Sequence, residues 1–291
     1  MKYTVIGGNA SQDLAKKLAK KTKTPYVSTK LRTFPDGENK ITLSSKPKKG
    51  SIVVVQSTYP PVDSNLFQCL SLISKAKQYS SNVIAIVPYM GYARQDREFL
   101  PGEIVSLQTV AKLLKNAGAT KIIVVDIHSM IGLKHFKIPV LNVSAVPELA
   151  KFFKKLQLKN PLVVSPDEGG KKRAKEFAEI LGSDYIFLKK KRDRKTGKVK
   201  IISTNLKRVV GRDIILVDDM ISSGGSIMKA TEFLKKQKCN QVFVSCTHAL
   251  LIGDAEKKIK KAGVSKIIST NTVPGSTSKV DISNIIAEKL V

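Results

Sequence analysis

Residues 214–226 read IILVDDMISSGGS, and this stretch decides how the chain should fold. Its first four residues are apolar and mostly β-branched, which is typical of a strand that is buried on both faces of a parallel sheet. The Ser and Gly residues that follow the two acids lead into a helical pattern. A strand, a tight polar loop and a helix in this order predict one unit of an α/β fold.

The same alternation continues along the chain. Other apolar runs of strand length are SIVVVQ, NVIAIVPY, KIIVVDIH, PLVVSPD, QVFVSC and SKIIST. Helical patterns such as LFQCLSLISKAKQY and GGKKRAKEFAEILG lie between these runs. The sequence therefore predicts mainly parallel sheets flanked by helices.

Three pairs of segments show that the chain repeats itself. LAKKLAKKTKTPYV (14–27) aligns with RAKEFAEILGSDYI (173–186), VVVQSTYPP (53–61) with ILVDDMISS (215–223), and AGATKII (117–123) with AGVSKII (262–268). The offsets are 159, 162 and 145. Similar offsets indicate two copies of one α/β unit, and the final drop places an excess of residues in the first copy between Met90 and Ala117.

We predict a boundary between the two copies near Asn142 to Pro147, where a strand gives way to a Pro-containing helix start. The predicted domains are residues 1–145 and 146–291, with a last helix, 281–291, that could pack back on the N-terminal domain. Because open parallel sheets bind ligands beyond the carboxyl ends of their strands, duplicated halves with divergent loops favour a site for two substrates at their junction.

The composition excludes several classes of protein. The 51 basic and 23 acidic residues give a net charge of +28, but only eight of the basic residues are Arg, and the lysines are spread along helical stretches. This pattern is typical of solvated helix faces, so no nucleic-acid partner is expected. The three cysteines are widely spaced, which favours neither disulfides nor a metal cluster. No window approaches the roughly 18 apolar residues of a membrane span, and we expect a cytoplasmic protein.

The Ser/Gly loop of residues 214–226 has the chemistry of a phosphate site. Gly224 and Gly225 allow close approach of the backbone, and amide groups at a helix start favour an anion. The hydroxyls of Ser222, Ser223 and Ser226 can add donors. The acids Asp218 and Asp219 suit ribose hydroxyls or a metal, because a carboxylate beside a phosphate needs such a partner. The simpler alternative is an acidic turn followed by a serine N-cap.

Several motifs occur together in one order: RTFPDGE, IVVVQST, PYMGYARQD, VVDIHS, VSPDEGG and the acid-bearing loop. On these motifs the whole chain resembles the ribose-phosphate diphosphokinases (PRPP synthetases) in their shorter archaeal form. The resemblance implies two duplicated phosphoribosyltransferase-like domains. It also implies transfer of the diphosphoryl group of ATP to the C1 hydroxyl of ribose 5-phosphate, giving PRPP and AMP for nucleotide biosynthesis, with Mg²⁺ as cofactor.

The resemblance assigns roles to residues of the N-terminal copy. It implies ATP binding by Phe34, Asp36, Glu38, Arg94, Gln95, Asp96 and His128. In this family the first three recognise adenine across a subunit interface, so a homodimer or a higher even-numbered homo-oligomer is expected. Without the resemblance, PDGE predicts only a tight turn.

The resemblance also assigns roles in the C-terminal copy. It implies Mg²⁺ binding by Asp167 together with His128, and ribose 5-phosphate binding by Asp218, Asp219, Ser222, Ser223, Gly224, Gly225 and Ser226. Catalytic cations come from the basic run LKKKRDRKTGKVK, where Lys190 and Arg192 fit best. The register of the lysine among Lys189, Lys190 and Lys191 stays open. Taken alone, the run predicts a solvated β-ribbon with a turn at residues 195–197.

Three other function classes are alternatives, and one of them, a catalytically silent relative that regulates the enzyme, would have lost some of these motif residues, whereas none is missing. A phosphoribosyltransferase that consumes PRPP would share VDDMISSGGS, but it would need neither the duplicated half nor YARQD. A nucleic-acid-binding regulator of the same fold would account for the net charge, but not for FPDGE, His128 and the basic run together.

Overall fold

The computed structural model describes residues 3–192, 199–202 and 208–290, and for residues 190–192 and 199–202 it describes the backbone alone. The chain divides into two compact units. Unit 1 comprises Met1–Ser144, Asn271–Pro274 and Asp281–Val291, and unit 2 comprises Ala145–Thr270 and Gly275–Val280.

Unit 1 contains a sheet of seven strands in the described part of the chain. Its strands are β1 (Tyr3–Gly7), β2 (Tyr26–Thr33), β3 (Asn39–Leu43), β4 (Ser51–Val55), β5 (Val83–Val87), β6 (Lys121–Val125) and β7 (Val140–Val143). Its helices are α1 (Gln12–Thr22), α2 (Val62–Lys77), α3 (Ser106–Asn116) and, near the end of the chain, α8 (Ser283–Ala287), which packs against α1. The strand order is β3-β2-β1-β4-β5-β6-β7, and β3 alone is antiparallel to its neighbour.

Unit 2 contains a parallel sheet of six strands, again counted over the described residues. Its helices are α4 (Val146–Lys154), α5 (Lys171–Leu181), α6 (Gly225–Lys236) and α7 (Ala255–Lys261). Its strands are β8 (Leu162–Ser165), β9 (Asp184–Phe187), β12 (Ile214–Ile221), β13 (Val242–Ala249), β14 (Val264–Thr270) and β15 (Ser278–Val280). The order is β15-β14-β13-β12-β8-β9, and β10 (Lys189–Arg192) pairs separately with β11 (Val199–Ile202) in an antiparallel ribbon.

The two sheets share one topology. If β1 is equated with β8, β2 with β9, and β4 to β7 with β12 to β15, the strands follow the same spatial order in both units. The segments that align in the sequence are therefore equivalent in the fold. The predicted α/β class, with two mainly parallel sheets flanked by helices, is confirmed.

The continuous apolar runs form the buried centres of the sheets. Residues 52–55 of β4 are fully buried, and so are Ile214, Ile215 and Leu216 of β12. On one face of the second sheet, the ring of Phe153 packs edge-on against Phe177 with the centroids 5.7 Å apart. Helices cover both faces of such strands, which explains why their sequences do not alternate. No helix in the described residues is long and apolar enough to cross a membrane.

The excess of residues in the first copy forms one long connection. Residues 88–105, 18 in number, link β5 to α3, whereas the equivalent link between β13 and α7 has the five residues 250–254. The predicted position of the extra segment is thus confirmed. The criterion of continuous apolar runs does not find β2 and β3, because burial changes from residue to residue along both strands: β2 alternates between partly buried and buried positions before an exposed end, and β3 alternates between partly buried and exposed positions.

A buried hydroxyl in β13 leads to a prediction about stability. Ser245 is fully buried between Val217 and Ile268 of the neighbouring strands, and its Oγ has no hydrogen-bond partner among the described residues. Burying an unpaired hydroxyl costs about 1–3 kcal/mol. We therefore expect Ser245→Ala to raise the free energy of unfolding by about 1 kcal/mol in urea titrations.

Ser269→Ala on the adjacent strand β14 is the matched control. Its Oγ lies 2.9 Å from Oγ1 of Thr277, and both residues are buried. Removing one hydroxyl leaves the other buried without its partner. The free energy of unfolding of this variant should therefore fall by about 1 kcal/mol or more. Equal destabilisation by the two substitutions would contradict the prediction.

Candidate functional site

The acid-bearing stretch lies at the carboxyl end of β12, as the sequence predicts. The strand runs through Asp218 and Asp219 to Ile221, and α6 begins at Gly225. Gly224 caps the helix with a φ of 78°, in the left-handed region. A Cβ at Gly224 would come within 2.6 Å of Ile259 Cδ1, so both the backbone conformation and the packing require glycine there.

The loop exposes polar groups at the start of a 12-residue helix. Ser223 and Ser226 are exposed, while Ser222 and Gly225 are partly buried. The carbonyl oxygen of Ser222 accepts a hydrogen bond from the amide of Ile252, which fixes the loop from one side. Helix N-termini carry amide donors and a positive end of the helix dipole, so this loop can receive an anion.

A guanidinium lies beside both acids. Arg173, in the first turn of α5, places Nη1 3.5 Å from Oδ1 of Asp218 and Nη2 3.5 Å from Oδ1 of Asp219. The side chain of Asp219 is 7% exposed, and that of Asp218 is 22% exposed. Arg173 was not predicted as a site residue. The available signal was a rare arginine in the first turn of a helix, three residues after the SPDEGG motif.

One cation does not balance the charge of this acid pair. Burial raises the pKa of Asp218 well above its ordinary value, and the hydrogen bond and charge of Asp219 raise it further. Arg173 lowers the pKa of Asp218 without offsetting these effects, and the negative charge of Asp167 adds to them. The unliganded pair therefore favours an added cation or hydroxyl donors.

Asp167 follows β8 in a turn that the chain holds by its own hydrogen bonds. The Asp167 carbonyl accepts a hydrogen bond from Ser165 Oγ at 2.7 Å, and its Oδ1 accepts one from the Gly170 amide at 3.3 Å. The residue is partly buried. In the described residues, no group of three or more His, Cys, Asp or Glu side chains could hold a metal ion without other ligands. The partly buried carboxylate of Asp167 can supply one oxygen ligand to a metal ion.

The predicted catalytic cations lie in the β10–β11 ribbon. The backbone at Lys190 pairs with Ile201 and that at Arg192 with Val199, which agrees with the β-ribbon predicted for this basic run. The side chains of Lys190 and Arg192, like residues 195–197, lie outside what the structure describes. Lys189 is described, and its Nζ lies 5.7 Å from the ring centroid of Phe187.

In unit 1, residues 34–38 form the turn of the β2–β3 hairpin. The amide of Phe34 donates to the Glu38 carbonyl at 2.8 Å, and that of Gly37 donates to the Phe34 carbonyl at 2.9 Å. Asp36 and Glu38 are exposed. The guanidinium carbon of Arg32 lies 5.2 Å from the centroid of the Phe34 ring. The tight turn predicted from PDGE is confirmed, and it carries one aromatic and two acidic side chains.

The three predicted residues of the long 88–105 connection differ in exposure. Arg94 is exposed, and Gln95 is partly buried with its Nε2 donating to Glu103 Oε2 at 3.2 Å. Asp96 is only 1% exposed. Its Oδ2 accepts a hydrogen bond from Ser129, and its Oδ1 lies 3.4 Å from Nε of Arg97.

The pKa of Asp96 shows how strongly this carboxylate is held. Burial on its own would raise the pKa, but the hydrogen bond from Ser129 and the charges of Arg97 and His128 outweigh it and lower the pKa. His128 itself follows β6 and is exposed. The charge of His128 thus acts on the buried Asp96 carboxylate, which Arg94 and Gln95 directly precede in the chain.

The first copy of the repeated loop has a different use. The hydroxyl of Ser57 accepts a hydrogen bond from the Tyr89 amide at 2.9 Å, and Oγ1 of Thr58 accepts one from the Gly91 amide at 2.7 Å. Both serine and threonine are buried. Ser57 and Thr58, which align with Asp219 and Met220 of unit 2, thus hold the backbone from which the Arg94 segment begins.

The chain is similar to known proteins over its whole length. Residues 3–118 match the family model of the N-terminal domain of ribose phosphate pyrophosphokinase, and residues 186–290 match the phosphoribosyl synthetase-associated domain. The ribose-phosphate pyrophosphokinase of Sulfurisphaera tokodaii is 37% identical, with 98% of this chain and 99% of the relative covered. That of Methanopyrus kandleri is 38% identical, with coverages of 98% and 97%.

A solved structure agrees with these matches. The crystal structure of phosphoribosylpyrophosphate synthetase from Mycobacterium smegmatis is similar with a TM-score of 0.86 and 28% identity, over 100% of this chain and 98% of the other. The resemblance inferred from the motifs is confirmed. The chain belongs to the ribose-phosphate pyrophosphokinase family.

Proposed function

We propose that this protein transfers the diphosphoryl group of ATP to the C1 hydroxyl of ribose 5-phosphate, forming PRPP and AMP. The observation that carries the proposal is the pair Asp218 and Asp219 at the end of β12, directly before a helix capped by Gly224. Family membership supports the same reaction, because the relatives at 37% and 38% identity are named ribose-phosphate pyrophosphokinases.

Ribose 5-phosphate binds to unit 2 in this proposal. Its phosphate accepts hydrogen bonds from the amides of residues 224–226 and from the hydroxyls of Ser222, Ser223 and Ser226. An anion at this helix start also gains from the helix dipole. The ribose hydroxyls donate to Asp218 and Asp219, whose negative charge exceeds what Arg173 balances. Carboxylate oxygens accept short hydrogen bonds from hydroxyl groups such as those of a sugar.

The donor set suits Mg²⁺. This ion prefers oxygen ligands and keeps several waters, so it needs only one or two protein carboxylates besides substrate phosphates. Asp167 fits that requirement through its partly buried carboxylate in a fixed turn. The imidazole of His128 offers nitrogen atoms, whereas Mg²⁺ prefers oxygen ligands. A ring N–H that donates a hydrogen bond therefore suits an ATP phosphate oxygen better than Mg²⁺. When bound, Mg²⁺ would neutralise phosphate charge during the transfer.

ATP binds to unit 1 in this proposal. Exposed Arg94 and His128 supply donors for the phosphates, and Gln95 adds a neutral amide. Phe34 offers an aromatic face, and Asp36 and Glu38 offer acceptors for an exocyclic amine. These three residues lie in an exposed turn at the sheet edge. We propose that they complete the adenine site of a second subunit. The active form is then a homodimer or a higher even-numbered homo-oligomer. Light scattering after gel filtration would test this assembly.

In the transition state of phosphoryl transfer, negative charge is spread over the oxygens of the transferred group and needs stabilisation there. Lys190 and Arg192 of the β10–β11 ribbon are proposed to bind its oxygens at that stage. Cations that reach the phosphates only when both substrates are present would accelerate transfer and limit the hydrolysis of ATP. The protein's role is then mainly positioning and electrostatic stabilisation, as expected for phosphoryl transfer.

The reaction is tested by incubating the protein with ATP, Mg²⁺ and ribose 5-phosphate. AMP and PRPP should accumulate in equal amounts, and neither should form when ribose 5-phosphate is omitted. A chain that consumes PRPP instead would release diphosphate from PRPP and a base and would make no AMP from ATP. Failure of AMP and PRPP to appear together would refute the proposal.

A further inference from the structure

Asp96 is held by two residues of the connection between β6 and β7. Ser129 donates its hydroxyl to Oδ2 of Asp96, and Nε2 of His135 lies 2.7 Å from the backbone carbonyl oxygen of the same residue. A carbonyl oxygen only accepts, so His135 must donate from Nε2. The side chain and the main chain of Asp96 are therefore both fixed to the segment 129–135, which ends in a 3₁₀ helix at Ile131–His135.

The packing around these bonds leaves little freedom. The amide of Gly132 lies 3.3 Å from the Ser129 hydroxyl, which orients it. A Cβ at Gly132 would lie 2.4 Å from Leu107 Cδ2 and 3.2 Å from Asp96 Cβ, so only glycine allows the turn to approach so closely. The amide of Leu107 in turn donates to the Gln95 carbonyl at 3.2 Å.

The bonded residues are chain neighbours of the proposed ATP ligands. Arg94 and Gln95 directly precede Asp96, and His128 directly precedes Ser129. Arg94 and His128 are exposed, whereas Asp96 is 1% exposed and cannot present its carboxylate to a ligand without leaving these contacts. The role of Asp96 in ATP binding is then indirect.

We propose that Ser129 and His135 are positioning residues for the ATP half of the reaction, because they hold Asp96 and thereby keep Arg94 and Gln95 in register with His128. This inference rests on the proposed function. Loss of either bond lets the Arg94 segment move relative to His128. The ATP phosphates would then meet donors that are no longer prearranged, and ordering these donors on binding weakens affinity.

Ser129→Ala and His135→Leu test the inference, with Ser129→Thr and His135→Gln as variants that keep a donor. Losing the Ser129 bond to the charged Asp96 carboxylate predicts a rise of about tenfold in the KM for ATP and in the Kd for Mg-ATP measured by calorimetry, and losing the His135 bond to a neutral carbonyl predicts a rise of about threefold to tenfold. The KM for ribose 5-phosphate should change less than twofold. The two variants that keep a donor should have a KM for ATP and a Kd for Mg-ATP closer to those of the wild type. The control is Lys134→Ala, an exposed position in the same 3₁₀ helix, which should leave both values unchanged.

A general loss of stability would not produce this pattern. Unchanged ATP affinity in both Ser129→Ala and His135→Leu would overturn the inference, as would an equal rise in both KM values or a failure of Ser129→Thr to improve on Ser129→Ala. If one variant does not fold, the variant at the other position decides. Wild-type protein that forms no AMP and PRPP would refute the proposed function instead, and calorimetry with Mg-ATP would still test the positioning role.

Discussion

Asp218→Asn is expected to remove most of the turnover and, at the same time, to make the free protein more stable at neutral pH. The loss of activity follows from the proposed contact of this carboxylate with ribose hydroxyls. Hydrogen bonds to a charged group contribute about 1.5–3 kcal/mol each, so losing the charge at a two-hydroxyl contact should lower kcat/KM for ribose 5-phosphate at least about 100-fold.

The gain in stability follows from the pKa of Asp218. Burial and the charges of Asp219 and Asp167 raise the pKa of Asp218 in the folded state above its ordinary value of 3.8. The folded state then binds this proton more tightly than the unfolded state does. The wild-type free energy of unfolding should therefore fall as the pH rises from 3.8 through the raised pKa. Asparagine carries no charge, so the variant should lack this loss.

The experiment combines steady-state kinetics with thermal unfolding of the ligand-free protein across a range of pH. The midpoint of unfolding should be higher for Asp218→Asn than for the wild type at neutral pH, and the difference should shrink towards acidic pH. Asp254→Asn is the matched control, because this acid of unit 2 is exposed and forms an ion pair with exposed Lys258 at 3.0 Å. Turnover within tenfold of the wild type, or a lower midpoint at neutral pH, would contradict the prediction.

Several features of the fold and of the candidate site could be predicted from patterns in the sequence. The strands of the core were predictable because their apolar runs are continuous, and the duplication was predictable because equivalent segments kept their spacing. The loop at Gly224 was predictable because its conformation needs glycine. Each of these features shows in short segments of sequence, either at one place or as a repeat of the same segment.

The features that were missed depend on contacts between distant residues. Arg173 meets Asp218 across 45 positions of sequence, and Ser129 meets Asp96 across 33. Serine is a common residue type and no local pattern marks Ser129, while Arg173 differs from its neighbours only as one of the chain's eight arginines at a helix start. Asp96 was predicted as an ATP ligand from its motif, yet its burial and its bond to Ser129 favour a positioning role. A motif thus pointed to a segment, while only the fold distinguished the burial and contacts of the side chains within it.

Lys190→Ala is expected to lower kcat at least about 100-fold while leaving the affinity for ATP nearly unchanged. A donor that acts on charge developing in the transition state contributes roughly 10²- to 10³-fold to the rate and little to substrate binding. The choice of Lys190 over its neighbours has two supports. Lys189 already lies over the Phe187 ring at 5.7 Å. Alternate residues of a strand share a face, so we expect Lys190 to lie on the same face of β10 as Arg192.

Lys191→Ala is the matched control, because it removes the same charge from the adjacent position of the same strand. We expect it to keep kcat within about threefold of the wild type, since a solvated lysine contributes little. Arg192→Ala should resemble Lys190→Ala, and the double variant should lose little more than either single one, because both cations are proposed to bind one group and would act as a unit. Single-turnover measurements with ATP and ribose 5-phosphate, together with calorimetry of Mg-ATP, separate chemistry from binding. A larger loss in Lys191→Ala than in Lys190→Ala would shift the assignment by one residue and would place the catalytic lysine on the opposite face from Arg192.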